Sequence, residues 1–263
     1  MKKLLLAATV ATLAMNAAQA APTLYGKLNV TLDQIDKNGF KDESVTKVNS
    51  NASRIGVKGE EKLTDNLSAV YLAEWQFNTD GDGTDTGSGT DLTQRNRFVG
   101  IKSNGVATLK VGRFDSYFKT AAGNNQDIFN DHNELDMTKV LVGEDRLTNV
   151  IGFETDKKLL AGLAFNIMFQ QGEQNETTKD KDGKTIPQDN SASGQKGSRN
   201  GFGDGVSTSL TYENKDIGLN AAVAGNFAVA SKYNAYGLSG VYTDAVRVTG
   251  SLDLSQVGAE GLV

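Results

Sequence analysis

The sequence contains no cysteine and a single histidine in 263 residues. Without cysteine the chain has neither a disulfide scaffold nor thiolate metal ligands. The one histidine, His132, lies in an acidic stretch without a strand pattern to present it to a serine, which disfavours a serine hydrolase and leaves little for zinc. We therefore predict no enzyme activity, no catalytic residues, no bound metal and no cofactor.

Positive charge is also scarce, because 27 lysine and arginine residues stand against 32 aspartate and glutamate residues, for a formal net charge of −5. A nucleic-acid-binding protein needs a basic footprint on its surface. The acidic balance therefore predicts no nucleic-acid partner.

Long apolar runs are absent except near the N-terminus. Lys2 and Lys3 precede an apolar segment at residues 4–17, and Ala18-Gln19-Ala20 follows it. This order is typical of a secretory signal peptide with its cleavage site, and the run is too short for a membrane helix. We predict that residues 1–20 form a signal peptide and that the mature chain begins at Ala21.

Apolar and polar residues alternate in many segments of the rest of the chain. In residues 23–35 the apolar side chains fall on one face, beginning with Leu24 and Leu28, and the polar ones on the other, beginning with Tyr25 and Lys27. Alternating segments joined in turn by long and short connections are typical of a transmembrane antiparallel β-barrel. A soluble β-sandwich is the alternative architecture, since its strands alternate in the same way.

The pattern gives approximate bounds for the strands and their connections. Short turns are predicted at residues 63–66, 103–105 and 156–158, and long polar loops at residues 36–51, 78–93 and 172–205. An irregular stretch is expected from residue 114 to residue 144. Strands are predicted at residues 23–35, 53–62, 67–77, 95–102, 106–113, 149–155, 162–171, 206–213, 217–226, 235–242 and 246–255.

Several of these strands resemble a known family. Thr23-Leu-Tyr-Gly-Lys27, Ser53-Arg-Ile-Gly-Val-Lys-Gly-Glu60, Arg97-Phe-Val-Gly-Ile101 and Val111-Gly-Arg113 are similar to strand motifs of the Gram-negative general diffusion porins. That resemblance implies an all-β transmembrane barrel of 16 strands in the outer membrane. It further implies a homotrimer surrounded by outer-membrane lipids, with small hydrophilic solutes and ions passing through each barrel.

The resemblance also implies a constriction, formed where the third loop folds into the barrel near residues 114–145. By position, the basic residues of the barrel wall would be Lys27, Arg54, Arg95 and Arg146. Within the inward stretch at residues 124–136, Asp127 and Asp131 would be the opposing carboxylates. The family's Pro-Glu-Phe-Gly-Gly loop motif is absent, and the register leaves open whether Arg95 or Arg97 points inward.

The end of the sequence departs from the family, whose members close with an aromatic residue. Here the last residues are Gly261-Leu262-Val263. About 11 strands can be read where 16 are implied. We therefore expect residues 21–263 to be a partial barrel, truncated at its C-terminal side.

The predicted function is a pore for passive diffusion across the outer membrane of a Gram-negative bacterium. The alternative is an outer-membrane barrel that acts as an adhesin or receptor through the long loops at residues 36–51 and 172–205. An inward loop that carries opposed charge would favour the pore, because it places a field across the water channel.

Overall fold

The computed structural model describes residues 22–36, 44–79, 92–122, 127–129, 131–132, 136–139, 141–172, 177–179, 185–187, 201–233 and 238–253. In chain order the elements are β1 Thr23–Lys27, β2 Val30–Asp36, β3 Ser44–Ser50, β4 Arg54–Lys62, β5 Leu67–Gln76, β6 Thr93–Ser103, β7 Ala107–Asp115, α1 Tyr117–Ala122, a 3₁₀ turn Met137–Lys139, β8 Arg146–Thr155, β9 Leu163–Gln170, β10 Thr177–Lys179, β11 Thr185–Pro187, β12 Gly205–Asn214, β13 Leu219–Tyr233 and β14 Leu238–Leu252. No helix in these ranges combines the length and the apolar character needed to cross a membrane.

Ten strands form one continuous antiparallel sheet in the order β1-β4-β5-β6-β7-β8-β9-β12-β13-β14. The pairs β2–β3 and β10–β11 make two small separate sheets. Over the described residues the large sheet is not closed, and β1 and β14 are its edges. A sandwich would need a second sheet packed face to face with the first. The continuous sheet fits the predicted all-β barrel class and not the sandwich.

The two faces of the sheet differ in what they contact. The inner face, defined here as the face on which α1 packs, holds a buried cluster made of Phe114, Tyr117, Leu147, Val150, Met168 and Val229. The outer face exposes aliphatic side chains by 46% to 78%, namely Val99, Ile101, Leu109, Val111, Val223 and Val248. Exposed apolar residues at every second position are what a lipid-facing strand requires.

The short turns lie where the sequence predicts them. The turn at residues 63–66 joins β4 to β5, with the Thr64 hydroxyl accepting a hydrogen bond from the Leu67 amide at 3.1 Å. In the next turn Gly105 has a φ of 72°, the left-handed conformation that glycine adopts without steric cost. In the turn at residues 156–158, the Asp156 carboxylate accepts a hydrogen bond from the Lys158 amide at 2.8 Å. These turns use the side chains and backbone conformations expected of them.

The predicted strand at residues 23–35 is wrong as a single element, because it breaks between β1 and β2. At the break the Ser53 hydroxyl accepts a hydrogen bond from the Asn29 amide at 3.0 Å, and the Asn51 amide donates to the Asn29 carbonyl at 2.8 Å. Ala52, opposite, has a φ of 52°. Residues 44–50, predicted as loop, are strand β3, which pairs with β2. Polar side chains at the break thus replace the regular ladder and redirect both strands.

Two further predictions need correction. The segments 235–242 and 246–255 are not two strands, since β14 is one strand of 15 residues paired along β13. The irregular stretch beginning at residue 114 contains α1, whose six residues are too few to show a helical period. Most of the loops predicted at residues 78–93 and 172–205 lie outside the described residues. The second of these is one of the two loops on which the adhesin or receptor alternative depends, the other being residues 36–51.

Candidate functional site

Three basic side chains from neighbouring strands meet on the inner face. Lys27 is the last residue of β1 and is paired directly with Arg54, the first residue of β4. Arg95 lies near the start of β6, two strands along from β4. Like charges at facing positions of a sheet repel one another. This arrangement is stable only if an anion lies between them.

Asp131 supplies that anion from the segment between α1 and the 3₁₀ turn. Its Oδ2 accepts hydrogen bonds from Arg54 Nη1 at 2.7 Å and from Lys27 Nζ at 3.1 Å, and its Oδ1 lies 3.8 Å from Arg95 Nη2. The Asp131 side chain is 9% exposed. The structure thus brings together four of the six residues that the sequence proposed for this site.

The electrostatics of Asp131 reflect these contacts. Burial acts to raise the pKa of its carboxyl group, but the hydrogen bonds and positive charges of Arg54 and Lys27 outweigh burial and hold the pKa below its ordinary value. Because the folded-state pKa is lowered, the contacts stabilise the fold above the ordinary aspartate range, and that stability is lost as the pH falls through the lowered pKa. At neutral pH the Asp131 side chain is therefore negatively charged. We call the part of the chain between α1 and the 3₁₀ turn, to which Asp131 belongs, the inward segment.

Glu74 of β5 is a second carboxylate at this site, and the sequence proposal omitted it. Its Oε1 accepts a hydrogen bond from Arg95 Nε at 2.6 Å, and its Oε2 lies 3.6 Å from Arg54 Nε. Oε2 also accepts a hydrogen bond from the Tyr25 hydroxyl at 2.9 Å. We call Lys27, Arg54, Glu74, Arg95 and Asp131 the charged cluster. The alternation of β5 does place Glu74 on the polar face, so a signal for it was present.

A glycine makes room for the tyrosine that orients Glu74. A Cβ atom added at Gly56 would lie 2.5 Å from Cζ of Tyr25. Such a contact is impossible without moving the ring, so glycine at this position of β4 lets the ring lie flat against the backbone. Gly56 is therefore part of the site although it carries no side chain and no charge.

The open question between Arg95 and Arg97 is resolved by an irregularity in the sheet. The register of β5 with β6 shifts between the pairs Ala73–Arg97 and Trp75–Gln94, so one extra residue of β6 lies opposite Glu74. This bulge directs Arg95 to the inner face, where it contacts Glu74. Arg97 is paired with Arg113 and belongs with the exposed Val99 to the outer face. A bulge leaves no simple mark in the alternation, which explains the ambiguity.

Arg146, also proposed for this site, belongs to a neighbouring group. Its Nη2 lies 3.2 Å from Asp115 Oδ1, and its Nε donates to Asn96 Oδ1 at 2.5 Å. Asn96 donates in turn to Asp115 at 2.9 Å, and Lys119 lies 3.5 Å from the same carboxylate. This group lies at the base of α1 and makes no ion pair with Asp131 among the described residues.

Asp127, the other proposed carboxylate, contacts none of the basic side chains of the charged cluster. Its Oδ1 is 3.5 Å from the Met137 amide, which donates to it. Burial raises the pKa of Asp127, against the opposing effect of the Met137 hydrogen bond, and nearby Asp136 adds to the rise. Its proposed role therefore remains a prediction. Of the inward stretch at residues 124–136, the structure describes only residues 127–129, 131–132 and 136.

Helix α1 is anchored to the sheet through Lys110 of β7, which contacts three aromatic rings. Lys110 Nζ lies 4.8 Å from the ring centre of Phe98, 4.6 Å from that of Phe114 and 5.8 Å from that of Tyr117. It also forms an ion pair with Glu154 of β8. Cation–aromatic contacts of this kind strengthen when they are shielded from water. They fix the first turn of α1 against β6, β7 and β8.

A second cation holds α1 from the opposite end of the sheet. Arg247 of β14 donates a hydrogen bond to the Phe118 carbonyl at 3.1 Å, and its guanidinium carbon lies 4.3 Å from the centre of the Phe118 ring. It also pairs with the buried Glu144. Burial raises the pKa of Glu144, and the hydrogen bond and charge of Arg247 only partly oppose the rise. Among the described residues, α1 thus contacts β12, β13 and β14, and Asp131 contacts basic side chains of β1, β4 and β6.

The fold and these sites define a class. A family model described as Gram-negative porin matches residues 6–262, and the chain belongs to this family. Its fold is the all-β porin barrel, with the described sheet unclosed, and it is an outer-membrane protein.

Particular relatives support this assignment. Over 176 residues the chain is 34% identical to a major outer membrane protein P.IB of Neisseria meningitidis serogroup A, covering 64% of this chain and 50% of that protein. Over 222 residues it is 26% identical to outer membrane porin F of Xenorhabdus nematophila, covering 80% of this chain and 50% of that protein. The chain thus spans about half the length of these relatives.

Among solved structures, an anion-selective porin from Comamonas acidovorans superposes with a TM-score of 0.54 at 17% identity. The match covers 88% of this chain and 63% of that one. At this identity the likeness concerns the fold alone.

Proposed function

We propose that the protein is a pore for passive diffusion of small hydrophilic solutes and ions, with the charged cluster at its constriction. The observation that carries the proposal is the contact of Asp131 with Lys27, Arg54 and Arg95. An Asp131 side chain held against the wall from a segment outside the sheet would narrow the water-filled space at this point. The charges that meet there are of opposite sign.

The selectivity of such a site follows from its charges. Three cations and two carboxylates lie within ion-pair distance of one another. Rows of charge at close quarters select ions by sign and orient dipolar solutes. Arginine suits the wall because its guanidinium group stays protonated in any plausible environment. No chemical step and no cofactor are needed for this function.

Conductance in planar bilayers tests the proposal. We expect the protein purified from outer membranes to produce stepwise single-channel currents whose size increases with the concentration of potassium chloride. Heat-denatured protein at the same concentration is the matched control. Membranes that remain electrically silent while the protein is inserted and folded would contradict a pore.

The orientation of the barrel gives a second prediction. The turns at residues 63–66 and 156–158 are short, whereas the connections predicted at residues 36–51 and 172–205 are long. The structure forms strand β3 within the first of these and β10 and β11 within the second. Barrels of this class have short periplasmic turns and longer external loops. Epitope tags in the long connections are therefore expected to bind antibody on intact cells, and tags in the two turns only after the outer membrane is permeabilised. The opposite labelling pattern would reverse the proposed orientation.

We also infer that the protein assembles as a homotrimer among outer-membrane lipids. The support is the family membership together with the exposed aliphatic outer face, which needs lipid or protein against it. Mild-detergent extraction followed by sedimentation would give the mass of the assembly. A monomeric mass under conditions that preserve the sheet would contradict the trimer.

A further inference from the structure

A cavity of about 360 Å³ lies on the inner face between α1 and strands β9 and β12–β14, away from the charged cluster. Its size falls within the range of small-molecule pockets, roughly 300–1,000 Å³. Small residues create it. Ala222 is paired with Thr211 on one side and with Thr249 on the other, so a hollow lies between two threonines. Ala121 and Ala122 of α1 line the cavity from above.

Apart from Lys157, the polar side chains that line the cavity are uncharged. They are hydroxyl and amide side chains, each able to donate and to accept a hydrogen bond. The members are Thr120, Asn166, Thr211, Tyr212, Asn220, Thr249 and Ser251. The strand pairing places these side chains side by side across the sheet. Asn220 of β13 is paired with Ser251 of β14, and Ala222, two residues further along β13, is paired with Thr249.

Part of this hydrogen-bonding capacity is unused. Within the described part of the chain, the side chains of Thr211, Asn220 and Thr249 have no protein hydrogen-bond partner. Asn166 uses its amide nitrogen to reach Ser209 at 3.1 Å, which leaves its carbonyl oxygen available. Polar groups left unpaired in a concave site are satisfied by water or by a solute that brings matching groups.

The charges near the cavity neutralise each other. Lys157 also lines it, but its ammonium group lies 2.5 Å from the carboxylate of Glu213. A charged solute would therefore lose its hydration without gaining an unpaired opposite charge. A neutral solute with several hydroxyl groups would lose less hydration free energy, and its hydroxyl groups could form hydrogen bonds with the side chains of Thr211, Asn220 and Thr249.

We propose that this cavity is a binding site for a neutral polyhydroxylated solute of monosaccharide size. The inference rests on the proposed function, since such a solute would reach the inner face by passing through the pore. The site lies next to Lys157 in the turn between β8 and β9, and so on the side of the short turns. A solute would meet the charged cluster and this neutral site at different points of its path.

The test uses D-glucose as the probe and saturation-transfer NMR of the purified protein in detergent as the measurement. The double variant Thr211→Val and Thr249→Val keeps the volume and removes two hydroxyl groups. It is expected to bind glucose at least about fivefold more weakly, the effect of losing one neutral hydrogen bond. Ala222→Leu, which fills the hollow, is expected to abolish binding.

Two comparisons keep the test specific. Thr108→Val removes a threonine hydroxyl from the inner face of β7, outside the cavity, and is expected to bind glucose as the wild type does. Gluconate, which carries a charge, is expected to bind more weakly than glucose. Equal glucose binding by the wild type and the cavity variants, or a preference for gluconate, would overturn the proposal.

Potassium chloride conductance of the same preparations separates this inference from the proposed function. The cavity variants are expected to conduct as the wild type does, because the charged cluster is untouched. A conducting wild type that does not bind glucose refutes the cavity site and leaves the pore intact. A wild type that does not conduct refutes the pore itself.

Discussion

Replacing Arg54, Arg95 and Arg146 together by glutamine is expected to shift the ion preference of the pore toward cations. The change removes three positive charges: Glu74 loses both of its arginine partners, Asp131 keeps only Lys27, and Asp115 loses Arg146. We expect the cation-to-anion permeability ratio to rise about tenfold, which corresponds to about 1.4 kcal/mol at the site. Reversal potentials measured across a gradient of potassium chloride give the ratio directly.

The matched control for this experiment is Arg97→Gln, because Arg97 lies one residue beyond the bulge and belongs to the outer face. It removes an arginine from the same strand and should leave the reversal potential unchanged. The effect of the triple variant should shrink in about 1 M salt, where the Debye length is about 3 Å. If the triple variant has the wild-type reversal potential, the arginines do not control ion passage.

Replacing Arg247 by methionine is expected to destabilise the inward segment strongly. The Arg247 and Glu144 side chains are 10% and 5% exposed, so methionine would leave a buried carboxylate without its partner. Breaking a buried ion pair on one side costs about 3–5 kcal/mol. Thermal unfolding followed by circular dichroism should therefore show a lower melting temperature, and single-channel recordings should show unstable currents.

The pH dependence identifies the cause of that destabilisation. Burial already raises the pKa of Glu144, and loss of Arg247 removes the effect that opposes burial. A raised folded-state pKa means that the group favours the fold below its ordinary range and that this contribution is lost as the pH rises. The defect of Arg247→Met should therefore be largest at neutral pH and smaller in acid. Adding Glu144→Gln should restore stability, and a double variant no more stable than Arg247→Met would show that the ion pair is not the cause.

The strands were predictable where a single physical rule determined them. Alternation located β4 to β9, because each of these strands has one face toward lipid and one toward the interior. The turn residues fixed the ends, as the hydrogen bonds of Asp156 and the left-handed Gly105 show. The break between β1 and β2 was missed because Asn29 continues the polar alternation of the strand. Its hydrogen bonds to residues 51 and 53 form only after the chain returns.

The charged cluster was predictable in its chemistry and only partly in its membership. Resemblance to the family pointed to Lys27, Arg54, Arg95 and Asp131, which the structure brings together. Arg146 is also an arginine of the wall, but it pairs with Asp115 and not with Asp131. This pairing depends on the packing of β7, β8 and α1, which the sequence pattern does not reveal. Glu74 was missed because the alternation of β5 does not distinguish it from the other polar residues on the same face. The Glu74 carboxylate is oriented by hydrogen bonds from Tyr25 and Arg95, which are distant from it in sequence.

The break at Asn29 has a consequence for how freely parts of the chain can vary. Hydrogen bonds of Asn29 with Asn51 and Ser53, only one of which is between backbone groups, join the hairpin β2–β3 to the wall strands β1 and β4 in place of a continuous ladder. We therefore expect local opening of the hairpin to disrupt the β2–β3 pairing without separating β1 from β4, because the two ladders belong to separate sheets. Mutations in the hairpin are therefore expected to lower mainly the stability of the hairpin itself. The protein can accumulate changes there while the wall that carries Lys27 and Arg54 keeps its geometry.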